Sequence, residues 1–263
     1  MVIRTAPLHA VHEDVTYAFV DGAYFRLAVQ NLMGEFFQPP LEVDFQRLRG
    51  ALGAKRLFYY DCVYNKRRRN ESKPQAKQRI LEKRRFLNGL RSLDGIHVRL
   101  GVIAGDGKRQ RQKEVDVRLA VDMLDHAYRG TYHRALLLAG DRDFKPVVDA
   151  VVQTGALVRV MAEKRSLNSK LAFAADSFTH LTLPWLYNSM TSEFQVKQEL
   201  PTMCSGGNIP PKDAVEVNAS RPGLRLLQSP NALFWIELPN HNCWASFADR
   251  SRLEDFARVM APR

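Results

Sequence analysis

The chain has 263 residues, 45% of them hydrophobic and 25% charged, which suits a folded protein with a buried core and excludes a disordered, collagen-like or coiled-coil chain. Thirty-nine Lys/Arg against 28 Asp/Glu leave a net charge of +11, a surplus that favours a polyanionic partner. No stretch approaches the roughly 18 to 20 apolar residues of a membrane span, so no membrane partner is expected. The three cysteines lie far apart without a C-x-x-C pair, which supports neither a disulfide framework nor a zinc site.

In chain order, Thr16–Val20 reads as a buried strand that stops at a turn pair, Asp21-Gly22. Ala23–Gln30 suits a helix, and Asp44 can cap another through Leu52. Arg56–Tyr64, rich in aromatics, reads as a second strand. Lys73–Leu93 places Ala76, Ile80, Phe86, Leu87 and Leu90 among many bases and reads as a helix with a basic outer face. Ile96–Ala104 is a third strand, residues 105–113 a basic loop, and Val115–Tyr128 a helix. Ala135–Ala139 is a fourth strand ending at Gly140-Asp-Arg-Asp143. A helix Phe144–Gln153, a strand Leu157–Ala162, a short helix Asn168–Ala175 and a strand Phe178–Leu183 follow. Apolar strands alternating with amphipathic helices give an α/β fold: a central, mostly parallel sheet with helices on both faces.

After Pro184 the texture changes. Prolines and Gly206-Gly207 mark 186–222 as a linker, separating a main domain over 1–185 from a small C-terminal extension over 223–263. In that extension Asn231–Leu238 and Cys243–Phe247 can form a hairpin, followed by a helix Arg252–Met260. Some forty residues rarely make a stable core alone, so the extension is expected to pack on the main domain, on a protein partner or on a second copy.

The charge surplus is local. Residues 65–114 hold sixteen Lys/Arg and five acids, and the rest of the chain is balanced at 23 of each. A solvated basic helix flanked by two loops would look the same, but unbalanced like charges repel, and a phosphate backbone supplies the missing counter-charge. Lys66, Arg67, Arg68 and Arg69, with Lys108, Arg109, Arg111 and Lys113, are the candidate nucleic-acid contacts. Tyr24 is a candidate for base stacking.

Four acids lie where strands end or a helix begins: Asp21, Asp116, Asp141 and Asp143. In a parallel α/β layer such positions face one cleft at the carboxyl ends of the strands. Each alone has an ordinary reading as a turn or cap residue. Together they form an oxygen-only set, which selects a hard ion, Mg²⁺ or Mn²⁺. A basic surface beside such a set points to phosphodiester hydrolysis by activated water. Asp122, six residues after Asp116 and about 600° round the helix, faces away from the same cleft edge and reads either as a helix-packing acid or as one that supports the site from behind its ligands.

Phe19-Val-Asp-Gly-Ala-Tyr-Phe25, Lys113-Glu-Val-Asp-Val-Arg-Leu-Ala-Val-Asp122, Leu137-Leu-Ala-Gly-Asp-Arg-Asp-Phe144 with Pro146-Val-Val, and Gly155-x-x-Val158 together resemble the NYN domain of the PIN-like nuclease superfamily, over about residues 15–183. The resemblance implies a PIN-like sheet, metal-dependent ribonuclease activity, and metal coordination by acids that fall on Asp21, Asp116, Asp141 and Asp143. Tyr24 stands where many members have Asn. Arg142 stands where many have Ser, a cation between two expected ligands that either grips a phosphate or weakens metal binding. The expected activity is therefore endoribonuclease, RNA ahead of DNA, in the cytoplasm. The alternative is an RNA- or DNA-binding adaptor of the same fold. A small-molecule enzyme is disfavoured, because neither G-x-G-x-x-G nor G-x-x-x-x-G-K-[ST] is present.

Overall fold

The structure, a computed structural model, describes residues 14–34, 36–65, 67–68, 70–101, 103–104, 111–112, 114–204, 210–219, 225–238 and 243–260, with backbone alone at 103–104, 111–112 and 204. The chain divides into two compact units. The first takes residues up to Phe25 and Arg49–His180; the second takes Arg26–Leu48 and Leu181 onward.

The first unit is built on a six-stranded sheet. Its strands are β1 (Thr16–Asp21), β2 (Arg56–Asp61), β3 (Ile96–Leu100), β6 (Arg134–Leu138), β7 (Leu157–Glu163) and β8 (Ser177–Leu181), in the spatial order β3-β2-β1-β6-β7-β8. The β1–β2, β1–β6, β2–β3 and β6–β7 pairs are parallel. The chain thus steps outward from β1 in one direction, returns, and steps outward in the other. The reversal falls between β1 and β6. That junction is where loops diverge and leave a crevice at the carboxyl ends of the strands.

Both faces of the sheet are apolar, as parallel strands require. On one face Phe19 stacks on Phe58 at 5.4 Å, amid Tyr17, Tyr132 and Leu137. Two helices cover that face: α4 (Val115–Tyr128) and α5 (Lys145–Gln153). In α4, Val115, Leu119, Met123 and Ala127 recur every fourth residue and are all buried. Asp122 lies off that stripe. It accepts the Tyr60 hydroxyl at 3.0 Å and pairs with Arg99 at 3.2 Å, as a packing acid would.

The other face meets α3 (Lys73–Arg91), where Phe86 touches Tyr59 edge-on at 6.0 Å. This helix starts with a reciprocal capping box between Ser72 and Gln75, and a proline in its first turn. Its basic outer face is as the periodicity predicts.

Three expected strands are shorter than the sequence suggests. The last stops at Leu181, because Thr182 caps a short helix that begins at Leu183. The second stops at Asp61. The third breaks after Leu100, and the backbone of β4 (Ile103–Ala104) pairs instead with β5 (Arg111–Gln112) in a separate antiparallel hairpin. The apolar run continues through 104 because a hairpin strand and a sheet strand carry the same residue types.

The second unit contains a five-stranded antiparallel sheet in the order β10-β11-β12-β13-β9. Its strands are β9 (Thr202–Cys204), β10 (Val215–Val217), β11 (Leu226–Gln228), β12 (Phe234–Leu238) and β13 (Cys243–Phe247). Helix α9 (Arg250–Met260) packs on β12 and β13. The stretch 186–222 is therefore more than a linker. It carries helix α8 (Ser192–Lys197) and supplies β9 and β10 to the sheet. Residues 36 and 37 join the same unit, with Phe37 stacked on Tyr187 and Phe36 against Phe256. A forty-residue tail lacks surface to bury by itself; these added segments supply it.

Candidate active site

Asp21 is the last residue of β1, and helix α1 (Gly22–Met33) begins at the next residue, so the strand runs into the helix without the turn expected at Asp21-Gly22. Gly22 serves close packing instead. A Cβ there would lie 2.5 Å from the Tyr59 ring, whose hydroxyl donates to the Gly22 carbonyl at 3.3 Å. Asp21 caps the helix: its Oδ1 accepts from the Ala23 and Tyr24 amides at 2.9 and 3.1 Å. Among the described residues its other oxygen has no hydrogen-bond donor.

Asp141 and Asp143 follow β6, the strand beside β1. Val20 is level with Leu138, so Asp141 lies just past the end of the strand next to Asp21. Asp141 opens a single 3-10 turn, Arg142–Phe144, and its Oδ1 accepts from the Asp143 amide at 3.0 Å. Arg142 is exposed between them and makes no ion pair among the described residues.

Asp116 stands in the first turn of α4, where the helix dipole favours a carboxylate. The preceding Glu114 adopts a left-handed φ of 80°, uncommon for a residue with a side chain.

The charges of this edge act on Asp21 and Asp116. Burial raises the Asp21 carboxyl above the ordinary carboxylate range, its two amide bonds pull it back, and the charges of Asp116 and Asp61 push it up again. Asp116 is raised first by desolvation and then by Asp141 and Asp143. Asp116 thus links the β1 acid to the β6 acids electrostatically.

The donor chemistry fits a hard divalent cation: oxygen ligands only, with mutual repulsion that a cation would relieve. As they stand, no three His, Cys, Asp or Glu among the described residues are grouped closely enough to hold a metal ion. The acids are coupled but not closed into a cage.

A model of the NYN domain matches residues 16–182, nearly two thirds of the chain and the whole of the first unit's sheet. The chain belongs to the NYN domain family. The NYN assignment brings a nuclease-like fold with it. A crystal structure of a protein of unknown function from Vibrio parahaemolyticus shares that fold with a TM-score of 0.50 and 18% identity, over 66% of this chain and 96% of the other. No curated protein matches the chain.

Within this NYN domain, Tyr24 is a brace. Its hydroxyl accepts the Glu163 amide at 2.8 Å and lies 2.7 Å from Ser166 Oγ. The α1 start is thereby tied to the loop after β7, and the hydroxyl is occupied within the fold. Gly140 permits the arrangement. A Cβ there would meet the Ser166 carbonyl at 2.6 Å and the Tyr24 ring at 3.0 Å.

Two acids at the same edge are absent from the sequence-derived set. Asp61 ends β2, is 1% exposed, accepts the Cys62 amide on Oδ1 at 2.7 Å and is ion-paired with Lys83 of α3. Glu163 ends β7 and is also buried. Both sit inside or at the end of apolar runs. A charge in a strand buried on both faces is the signal that could have exposed them.

Of the expected nucleic-acid contacts, Arg67 and Arg68 are exposed on the segment before α3. Lys66, Arg69, Lys108, Arg109 and Lys113 lie outside the described residues, as does the side chain of Arg111. The segment is anchored by Glu71, which accepts Arg79 Nε and a terminal guanidinium nitrogen at 2.7 and 3.0 Å and the Arg68 amide at 3.0 Å. Arg79 lowers the Glu71 carboxyl to about 2. Among the described residues no helix is long and apolar enough to cross a membrane.

Proposed function

We propose that this NYN protein is a metal-dependent endoribonuclease of the cytoplasm that hydrolyses RNA phosphodiester bonds with an activated water. The observation that carries the proposal is the placement of Asp21 and Asp141 at the ends of neighbouring strands at the β1–β6 reversal, with Asp143 two residues on and Asp116 near enough to feel the charges of Asp141 and Asp143. These four would hold Mg²⁺ or Mn²⁺. Such an ion, when bound, polarises the phosphoryl group and acidifies the attacking water.

The chain's own residues supply the rest. Asp21 offers the oxygen that its helix cap leaves uncommitted. Asp116, raised by burial and by the charges of Asp141 and Asp143, would be relieved of that repulsion by the cation it helps to hold. Arg142, exposed and without a carboxylate partner among the described residues, can take a substrate phosphate. The basic segment before α3 holds flanking backbone.

The test is cleavage of a single-stranded or structured RNA by the full chain with Mg²⁺ or Mn²⁺. EDTA should abolish it, and Asp143→Asn should lower it by at least about 100-fold, the scale of losing a group that stabilises the transition state. Cleavage indifferent to both refutes the proposal. A binding-only role is favoured by one observation, that no three described acids stand close enough to chelate. It requires salt-sensitive RNA binding without cleavage, and an Asp141→Asn chain that binds as well as the parent.

A further inference from the structure

The acids occupy the carboxyl edge of the sheet at β1 and β6. One step away, at the ends of β2 and β3, α3 and the chain leaving β2 enclose a groove of about 450 Å³. Asn65, Arg84, Leu87, Asn88, Arg91 and Leu100 line it. Arg84, Leu87, Asn88 and Arg91 are spaced i, i+3, i+4 and i+7, which puts them on one face of α3. Leu87 is buried, and the three polar residues are exposed around it.

The charges in this groove differ from their neighbours on the same helix. Arg79 is tied to Glu71 and Lys83 to Asp61. Arg84 and Arg91 have no carboxylate partner among the described residues; Arg91 donates only to the Asn88 side-chain oxygen, at 3.2 Å. Their α-carbons are about 10 Å apart along the helix axis. That separation suits a repeating anion better than one small one. The groove has no aromatic wall to anchor a peptide, and its two amides can bond ribose hydroxyls.

The strand register sets its place relative to the acids. Asp21 is level with Tyr60, and Asp61 with Leu100. Leu100, on the groove's rim, is therefore two strand spacings from β1, about 10 Å. We propose that this groove binds the backbone of the RNA strand to one side of the bond that is cut, with Arg84 and Arg91 each on a phosphate and Asn65 and Asn88 on the intervening riboses. The assignment rests on the nuclease reading and gives the bound strand a direction across the sheet edge, from the acids toward α3.

The test is RNA binding by the full chain carrying Asp143→Asn, in EDTA, so that cleavage is suppressed. A fluorescent single-stranded RNA is titrated over a series of NaCl concentrations. Each phosphate contact in single strands contributes about 0.7 to the slope of log affinity against log salt. Arg84→Gln with Arg91→Gln should flatten the slope by about 1.4, and Arg84→Lys with Arg91→Lys should restore most of it. Lys55→Gln, at the opposite edge of the sheet, should leave the slope unchanged. Melting temperatures confirm that each variant is folded. A parent that binds with a steep slope, but whose Gln variants share that slope within about 0.3, overturns the groove assignment alone. A parent that does not bind RNA overturns the nuclease reading and the groove together.

Discussion

Asp21 shows how one side chain serves two ends. One oxygen caps α1; the other has no hydrogen-bond donor among the described residues, and burial and Asp116 make the charge of the group costly. A carboxyl raised in the folded state binds its proton more tightly there than in the unfolded chain, so folding is favoured at low pH and that advantage fades as pH rises through the raised value. Asp21→Asn keeps the capping oxygen and removes the charge. Without metal, it should melt at the same temperature as the parent near pH 4 and about 2–4 °C higher at pH 7.5, the shift for roughly 1 kcal/mol in a chain of this size. A variant that melts lower at pH 7.5 contradicts the assignment of strain to this carboxylate. Tyr24→Phe tests the brace. It leaves the buried Glu163 amide without its acceptor and should cost about 1–3 kcal/mol in denaturant unfolding. RNA affinity should be unchanged; a tenfold loss of affinity with normal stability would return Tyr24 to the RNA interface.

At the scale of elements, the site depends on two joins that have no slack. Strand β1 enters α1 through Gly22 under Tyr59, and β6 leaves through Gly140 beneath the loop after β7. Gly140→Ala pushes a Cβ against backbone, which cannot swing aside as a side chain can. It should destabilise the chain by about 1–3 kcal/mol and lower cleavage through kcat more than KM, because it displaces Asp141 rather than the bases that hold RNA. A normal kcat would show that the loop has room. The sequence made the helices and inner strands of this unit legible because buried parallel strands read as apolar runs and α4 repeats its apolar residues every fourth position. It singled out Asp21, Asp141 and Asp143 by strand ends and Asp116 by a helix start. Asp61 is passed over inside the run Arg56–Tyr64, although a lone charge among buried strand residues marks it; the end of β2 and the partner Lys83 place it at the edge. The second unit was less legible. Strands of three residues, such as β9 to β11, carry too few positions for an alternating pattern, and Phe36 and Phe37 reach that unit from far upstream in the chain.

Across the whole molecule, the formal charge resides in residues 65–114, and α3 divides it into two classes. Arg79 and Lys83 are matched to acids and hold the structure. Arg84 and Arg91 face a groove and are matched to nothing described. Basic surface and acidic crevice therefore share one edge of the sheet, as an enzyme that binds a polyanion and hydrolyses it requires. The central claim is that the four coupled aspartates close on a hard cation. Calorimetric titration of Mn²⁺ into the metal-free full chain tests it most directly. Saturable binding is expected in the parent, weakened at least about tenfold, 1.4 kcal/mol, by Asp116→Asn and by Asp143→Asn alike. Mn²⁺ that binds the two variants as tightly as the parent would place the ion elsewhere and contradict the claim.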